Sequence, residues 1–582
     1  MSRIEDMRRR AREGAIARGP SLPQARAMAR VDRLFSDRAV ATVQASPELE
    51  RIARLPRASG DLDPEAIDLL TDHLKTAEGA QTLRPIQAAA LVAVADSPGV
   101  LVSAPVGFGK TLITALAPVV SEANRPLLIV PAKLRDKTRR EFSAARLHWR
   151  VPEIEIVSYE KLGRVSGADY LADLAPDLIM ADECHRLKNP RAAVTRRVLR
   201  YCAEANPRAV FLSGTITGRS LLDFHHLVRI THGREACPLP WTHAEAATWA
   251  AAVDEGVEAR TLPGPLVVFS SGGSDLSEIR EGVGRRIRDT AGVVSATGRG
   301  IDASIQISTF DPDIPDEVRR ELDHVIRGKR NPDGSEASPA DIHRHARTLV
   351  QGFYYTWDPE PPEHWRRARS AWARFVREIL EEEDPRYDSE LQIARACEAE
   401  RLPSHEWARW TEVRGDYDGK TIPVWLSDQP LISAALRVTH PAIVWVEHIA
   451  TGRKLREITG WPYFHRLGIS DDGRRIDDAD GTTPIIASIT ANAEGRNLQR
   501  FHHNLVITPP GSGKTWEQLI GRTHRHGQTA DEVEIEIMIG HPSIARTLDQ
   551  ARKDAAYIGS ITGSPQKLEI ADMVSAPGPG RA

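Results

Sequence analysis

The sequence is poor in cysteine and aromatic residues, and it lacks any long hydrophobic run. Its 582 residues include 4 cysteines, and aromatic side chains make up 5% of the chain. Cys184, Cys202, Cys237 and Cys397 are far apart and form no CxxC pair, which argues against a disulfide scaffold or a zinc ribbon. No apolar run approaches the ~20 residues of a membrane span, and the N-terminus has no signal-peptide core. We therefore expect a soluble cytoplasmic protein with no membrane partner.

An excess of charge of one sign is also absent. Lysine and arginine total 77 against 80 aspartates and glutamates, which gives a net charge of −3. This balance excludes a histone-like polycation, but a local basic groove would suffice to bind nucleic acid. Hydrophobic residues make up 41% of the chain, which excludes disorder as the main state. At roughly 100–200 residues per domain, the length predicts about three to five structural units.

The hydrophobic pattern predicts an α/β fold with two parallel sheets. Short apolar runs alternate with amphipathic segments over residues 80–240, and the same pattern returns over residues 431–560. Continuous apolar strands between helices are typical of parallel sheets covered on both faces. The runs lie at 99–105, 126–132, 154–158, 177–183 and 209–215 in the first region, and at 442–448, 484–490, 504–508 and 532–539 in the second.

The remaining segments have a different character. Residues 1–79 are predicted to be helical and basic, either as a solvated lead-in or as an arm that contacts phosphates. Residues 241–430 are predicted to be a mostly helical accessory region, and residues 561–582 a flexible tail. One helical stripe in the accessory region is most simply a packed helix, with a base-stacking platform as the alternative. It consists of Trp365, Ala368, Trp372, Phe375 and Ile379.

The strongest local signal is a phosphate-binding motif after the first apolar run. Gly107, Phe108, Gly109, Lys110 and Thr111 form a GxGKT core between a predicted strand and a predicted helix, although Ala104 replaces the first glycine of the full pattern. The glycines allow backbone N–H groups to approach phosphate oxygens at the positive end of the helix. Lys110 would contact the β- and γ-phosphates, and Thr111 would coordinate Mg²⁺.

A second GxGKT occupies residues 511–515. No acidic strand end follows it to hold a metal, and another motif begins at Gln518. We interpret it as a loop of the second lobe without a phosphate-binding role.

A pair of acidic residues ends the fourth apolar run. Asp182 and Glu183 are predicted to lie at the carboxyl edge of the first parallel sheet, beside the phosphate-binding loop. Asp182 suits coordination of Mg²⁺, which is a hard cation, and Glu183 suits orientation of the attacking water. Cys184 is interpreted as filling space. His185, next to these acids, is a candidate for coupling rather than an ordinary polar contact.

The segment DECHRLKNP at 182–190 resembles the DEAH-type box of superfamily 2 helicases, and of their Swi/Snf-type DNA translocases in particular. Other motifs of the family follow in order. The segment 83–87 resembles the element in which Gln87 reads adenine, 104–111 resembles motif I, and 130–134 resembles the motif that contacts the tracked strand. Residues 158–160 resemble the SYE element. Ser213, Gly214 and Thr215 stand where the family links ATP state to nucleic acid.

Two motifs of the second lobe complete the resemblance. Gly495, Asn497, Leu498 and Gln499 resemble the end of motif V, although Asn492 and Ala493 replace its upstream glycine pair. Residues 518–528 are similar to motif VI, which implies that Gln518 binds ATP and that Arg522 and Arg525 are arginine fingers. The matched regions, about 83–223 and 440–540, cover roughly 40% of the chain. Residues 301–325 loosely resemble the strand and helix that precede the family's helical protrusions.

The resemblance implies two RecA-like parallel-sheet lobes with a helical insertion between their motifs, binding ATP and Mg²⁺. It implies an ATP hydrolase that acts as a helicase or translocase on DNA, with duplex or forked DNA favoured over RNA. Two alternatives remain: a nucleotide-gated nucleic-acid-binding or assembly switch with an unidentified protein partner, or the motor component of a restriction or recombination system. The compact chain favours a bacterial or phage origin, and the host cytoplasm in the latter case.

Overall fold

The computed structural model describes residues 41–58, 62–104, 108–254, 261–272, 275–296, 303–332, 337–381, 387 and 389–574. The predictions for residues 1–40 and 575–582 lie outside this part of the chain. In chain order the strands are β1 (Gly99–Ser103), β2 (Pro126–Val130), β3 (Glu155–Ser158), β4 (Leu178–Asp182), β5 (Arg208–Ser213), β6 (Val293–Ser295), β7 (Ser304–Phe310), β8 (Phe353–Asp358), β9 (Lys420–Trp425), β10 (Ala442–Val446), β11 (Tyr463–Phe464), β12 (Ile485–Ser488), β13 (His503–Val506), β14 (Glu532–Met538) and β15 (Asp572–Met573).

Apart from β8 and β9, the described strands form two all-parallel sheets, as the alternating pattern predicts. The first has the order β3-β2-β4-β5-β1-β6 and the second β11-β12-β10-β13-β14-β7-β15. Each predicted apolar run overlaps one of these strands. This α/β architecture is consistent with two RecA-like lobes. We call residues 41–296 the first lobe, residues 303–352 and 426–574 the second lobe, and residues 353–425 the projection.

β1 and β2 are buried along their whole length, as is typical of parallel strands that helices cover on both faces of a sheet. Leu49 and Ile52, from the predicted helical lead-in, are buried in this core. The α-helices are Pro47–Arg54, Pro64–Leu74, Pro85–Asp96, Lys110–Val120, Arg135–Ala145, Tyr159–Gly163, Tyr170–Leu174, Ala193–Ala205, Leu222–Ala236, His243–Val253 and Leu276–Arg288. Short 3₁₀ segments are Ala132–Leu134, Val165–Gly167, Cys184–Leu187 and Gly264–Phe269.

The second sheet is covered in the same way. Its α-helices are Asp316–Gly328, Pro339–Leu349, Gln429–Ala435, Ile449–Thr459, Ile489–Asn492, Gly513–Ile520, Pro542–Thr562 and Lys567–Ile570, with 3₁₀ segments at Arg466–Gly468 and Ile476–Asp478.

Two parts of the chain differ from their predicted character. The region 241–430, predicted to be mostly helical, supplies β6 to the first sheet and β7 to the second. The strand and helix suggested within 301–325 correspond to β7 and Asp316–Gly328. The predicted tail is folded as far as residue 574, since Leu568 is buried and β15 pairs with β7.

The two lobes share one long helix. Pro542–Thr562 packs Leu548, Ala551 and Ala555 into the core of the second sheet, while Tyr557 and Ile561 belong to the core of the first lobe. The Tyr557 hydroxyl donates to Asp254 Oδ1 of the first lobe at 2.6 Å. This helix therefore joins the lobes on one side of the cleft between them.

The four cysteines are free and buried. Among the described helices, none combines the length and the apolar character needed to cross a membrane.

The projection is a small helical unit with its own core. It consists of the antiparallel hairpin β8–β9 and the helices Glu363–Glu381, Glu390–Glu398 and His405–Val413. Trp365, Ala368 and Trp372 are buried, and Phe375 and Ile379 pack against the cluster that contains Trp372, so the prediction of a packed helix is confirmed.

Replacing Trp372 with alanine is expected to unfold the projection while leaving the two sheets intact. Trp372 is 3% exposed, and its Nε1 donates to Glu390 Oε1 at 2.8 Å. Truncation of a buried tryptophan costs about 3–5 kcal/mol, which is large for so small a core. Hydrogen exchange of the backbone amides would show lost protection across 363–413 only. Trp357→Ala, at a site 38% exposed, is the control, and equal protection in both variants would contradict this account.

Candidate nucleotide-binding cleft

The described residues of the phosphate-binding motif lie at the carboxyl edge of the first sheet. Gly109 has φ of 78°, in the left-handed region that favours glycine, and is followed directly by helix Lys110–Val120. A Cβ at Gly109 would lie 2.1 Å from Gln87 Nε2, which donates to the Gly109 carbonyl at 3.3 Å. Phe108 packs against the hydrophobic core. Gly107 lies outside the described residues.

Lys110 and Thr111 open the helix that follows the loop. The Lys110 ammonium donates to the Ala104 carbonyl at 2.9 Å, and the Thr111 hydroxyl donates to Glu141 Oε2 at 3.4 Å. Glu141 comes from helix Arg135–Ala145, and no motif identifies it. Its position against Thr111 adds a carboxylate to the edge where the predicted metal ligands lie.

Asp182 is the last residue of β4 and Glu183 follows it, and β4 is separated from β1 by β5 alone. Burial and the neighbouring Glu183 raise the pKa of Asp182, while Lys110 opposes this rise. Burial would raise the pKa of Glu183 too, but Lys110 and His185 outweigh it and lower that pKa below its usual range. Glu183 has φ of 57°, an unusual backbone for this residue type and a form of strain that clusters at functional sites.

His185 connects the acidic pair to the end of β5. Its Nδ1 lies 2.9 Å from Ser213 Oγ and 3.2 Å from Glu183 Oε2, and the ring is buried. Ser213 Oγ also accepts the Thr215 N–H at 3.1 Å, and the Ser213 carbonyl accepts the Ala104 N–H at 3.0 Å. The buried segment that includes Gly214 therefore connects the acids to the start of the phosphate-binding loop.

The second lobe places two arginines at the same cleft. Arg522 donates from Nε to the Gln518 carbonyl at 2.8 Å and from Nη1 to the Arg496 carbonyl at 3.1 Å. Arg525 Nη1 donates to the Arg496 carbonyl at 2.9 Å and to Asn497 Oδ1 at 2.5 Å. Burial lowers the pKa of both guanidiniums, to about 10 for Arg522. Negative charge across the cleft opposes this effect, from Glu183 on Arg522 and from Glu141 on Arg525.

The lobes touch beside these arginines. Glu494 of the second lobe pairs with Lys133 at 2.9 Å and with Arg186 at 3.0 Å, both in the first lobe. Lys137 donates to the Gly495 carbonyl at 2.7 Å. Gly495 has φ of 74°, and a Cβ there would lie 2.1 Å from Leu134 Cδ2 of the first lobe. Glycine is thus required both by the backbone conformation and by the closeness of the other lobe.

The second GxGKT also contributes to the cleft. Gly513 is packed against helix Pro542–Thr562, since a Cβ there would lie 2.7 Å from the Ala551 carbonyl oxygen. This glycine therefore serves helix packing, and the interpretation that the loop does not bind phosphate stays a prediction. Burial lowers the pKa of Lys514 to about 8, and the negative charges of Glu183 and Glu494 oppose that shift.

Apart from Gly107, every residue predicted for the site is described, and the fold brings these residues to one cleft between the lobes. Sequence reasoning missed the charged groups that accompany them. These are Lys133, Lys137, Glu141, Glu494 and Lys514. Lys133 and Glu494 stand within segments that resemble family motifs, but neither is a residue on which the resemblance rests, and the motif around Lys514 is typical of a different role. A scan of the chain against protein-family models finds no matching family.

Proposed function

We propose that the chain is an ATP hydrolase that couples hydrolysis to movement along DNA, as a translocase or helicase. The observation that carries the proposal is the meeting of two complementary sets of groups at one cleft. One lobe contributes the lysine at the start of a helix and the two acids, and the other contributes one buried and one half-buried arginine. The residues are Lys110, Asp182 and Glu183 on one side, and Arg522 and Arg525 on the other.

The donor set fits ATP with Mg²⁺. Lys110 provides an ammonium for phosphate oxygens, while Thr111 and Asp182 provide hard oxygen ligands for a cation. The single positive charge of Lys110 acts on two adjacent acids and so neutralises them only in part, and burial and Glu183 raise the pKa of Asp182 against it. A divalent cation bound there would complete that neutralisation and balance charge on the phosphates. Gln87, which is hydrogen-bonded to the loop at Gly109, would contact the base.

Glu183 is the residue best suited to orient the attacking water. Its lowered pKa keeps the side chain ionised near neutral pH, so the carboxylate can accept a hydrogen bond from water. His185 Nδ1 lies within hydrogen-bonding distance of both this carboxylate and the Ser213 hydroxyl. A displacement of β5 or of the loop after it would therefore be transmitted to Glu183.

The arginines act from the opposite lobe. A guanidinium is planar and always charged, so it stabilises negative charge that develops on phosphate oxygens when the cleft closes. Asn497 and the Arg496 carbonyl fix the direction of Arg525. Opening and closing about the shared helix Pro542–Thr562 would give the two states that ATP and its products select between.

DNA is proposed as the track because the segments DECHRLKNP and RTHRHGQ resemble those of DNA translocases more than the motifs of RNA-specific helicases.

The steady-state rate of ATP hydrolysis tests this proposal. It is measured without nucleic acid and with single-stranded DNA, duplex DNA, forked DNA or RNA. Glu183→Gln is the inactive control. Stimulation by duplex DNA supports a duplex translocase, and stimulation by single strands or forks supports an unwinding helicase. An RNA preference would overturn the choice of DNA, and a rate indifferent to every nucleic acid would favour a protein-gated switch.

Lys514 gives the proposed ATPase an alkaline limit. Its pKa is lowered to about 8, so the ammonium beside Glu183 loses its proton as the pH rises through that value. We expect kcat/KM for ATP to fall above about pH 8, because kcat/KM reports ionisations of the free enzyme. In Lys514→Arg the decrease in kcat/KM above about pH 8 should disappear, since a guanidinium stays charged. Lys188→Arg is the control and should keep the decrease. An unchanged pH profile in Lys514→Arg would refute this assignment.

A further inference from the structure

Two cavities adjoin where the lobes meet. Their volumes are about 630 and 430 Å³, and His343 and Gly511 line both. The larger cavity lies within the range of about 300–1,000 Å³ that is typical of ligand sites. Helix Pro339–Leu349 forms part of the wall of each, and none of the motifs behind the proposed function lies on that helix.

The walls of these cavities carry an excess of positive charge. Five arginines line them, against two glutamates, Glu447 and Glu494, in a chain whose net charge is −3. A local cationic concavity in a nearly neutral protein attracts polyanions. The arginines are Arg186, Arg219, Arg344, Arg347 and Arg546.

The arginines differ in how many hydrogen bonds and ion pairs they already make within the protein. Arg347 is tied to Glu447 and to the Pro509 carbonyl, and Arg186 is tied to Glu494. Arg344 is 64% exposed and pairs with Asp341 on its own helix. Arg546 is exposed and forms no ion pair with a residue that the structure describes. Arg344 and Arg546 are therefore the cations most available to a ligand.

Two buried polar atoms on the wall of the larger cavity lack partners. His448 Nε2 and Arg186 Nε are inaccessible to solvent and make no hydrogen bond within the described part of the chain. Buried polar groups are normally paired, so two orphans on one cavity wall indicate a site completed by a ligand or by water.

The larger cavity also reaches the nucleotide-binding cleft. Thr515 and Gln518 line it, and the Gln518 carbonyl accepts the hydrogen bond from Arg522 Nε. Arg186, on the opposite wall, follows His185 in the chain. A ligand in this cavity would therefore contact residues that neighbour the nucleotide-binding groups of both lobes.

We infer that the two cavities form a channel for one polynucleotide strand, whose phosphodiester groups contact Arg344 and Arg546. The inference rests on the proposed nucleic-acid motor and assigns to its track residues from outside the motifs. DNA and RNA share this backbone chemistry, so the channel itself selects for a phosphodiester strand.

The test is equilibrium binding of labelled single-stranded DNA, single-stranded RNA and duplex DNA by the full chain, followed by fluorescence anisotropy. The variant Arg344→Glu/Arg546→Glu should lose affinity for single strands on the order of tenfold or more. The slope of log affinity against log salt should fall by about 2, one for each lost phosphate contact. Arg344→Gln, which only removes one charge, should lower the same slope by about 1. Equal thermal unfolding midpoints would show that the variants fold.

The matched control is Arg54→Glu/Arg367→Glu, which makes the same charge change at sites 81 and 74% exposed and outside both cavities. Control binding should equal that of the wild type. If the wild type binds single strands and the two double variants bind equally well, the channel is refuted and the proposed function stands. Weakened binding of the duplex alone would also refute a single-strand channel. If the wild type binds none of the three probes, the proposed function itself fails and the channel with it.

Discussion

Replacing Lys110 with alanine is expected to reduce ATP hydrolysis to background, a fall of about 10³-fold or more. The ammonium stands at the first residue of the helix that follows the phosphate-binding loop, 2.9 Å from the Ala104 carbonyl. Its charge acts on both Asp182 and Glu183. Removing it deletes the proposed phosphate contact and leaves two half-buried carboxylates with less compensating charge. Their uncompensated charge would also oppose the approach of an anionic substrate.

Steady-state turnover, with binding of a fluorescent ATP analogue measured in parallel, separates these two effects. Lys75→Ala is a suitable control, because Lys75 forms a surface pair with Asp72 and lies outside the cleft. The control should hydrolyse ATP at the wild-type rate. Wild-type turnover by Lys110→Ala itself would remove the basis for placing ATP at this loop.

Replacing Arg525 with alanine should lower kcat by about 10³-fold or more while ATP binding stays largely intact. Arg525 is held by Asn497 and the Arg496 carbonyl, on the lobe opposite the phosphate-binding loop. A group placed in this way contributes most when the cleft closes around the transition state and little to the first encounter with substrate. The variant should therefore have a much lower kcat and a nearly unchanged KM for ATP.

Arg500→Ala is the matched control for Arg525. Arg500 lies on the same lobe and donates to the Asp477 carbonyl at 2.5 Å, away from the facing acids. Its removal should leave kcat within a small factor of the wild-type value. If Arg525→Ala weakened ATP binding and left kcat unchanged, Arg525 would be a ground-state contact and not an arginine finger.

The strands of both sheets could be predicted because buried parallel strands are continuous apolar runs. Those at 99–105 and 442–448, for example, contain β1 and β10. β6 was missed because it is three residues long and two of those residues are only half-buried. β7 was suggested only by a loose resemblance, since SIQISTF alternates apolar and polar residues. Short or alternating strands at sheet positions away from the centre give a weak signal on their own.

The part of the candidate site that lies at the carboxyl ends of the parallel strands could be predicted from the sequence. Lys110 and Asp182 meet because parallel strands place their carboxyl ends at one edge. Glu141 and Lys137 stand one turn apart on a helix that looks like any amphipathic surface helix, and nothing local distinguishes them. Their roles depend on which elements the fold brings opposite, at Thr111 and at Gly495.

Lys514 shows the opposite limitation. Its GxGKT motif is a strong local signal, but the packing of Gly513 on helix Pro542–Thr562 gives that glycine another purpose. The lysine contributes its charge to Glu183 from the second lobe. The motif therefore identifies Lys514 as a residue of interest, but only the tertiary structure shows which groups surround it.

The central claim is that ATP hydrolysis at this cleft is coupled to movement along DNA. Displacement of streptavidin from the biotinylated end of a DNA, in the presence of ATP, tests it most directly. The wild type should release streptavidin with ATP but not with a non-hydrolysable analogue, and Glu183→Gln should release none with either. DNA-stimulated hydrolysis by the wild type, with streptavidin release no faster than in Glu183→Gln, would contradict the claim and identify a nucleotide-gated switch.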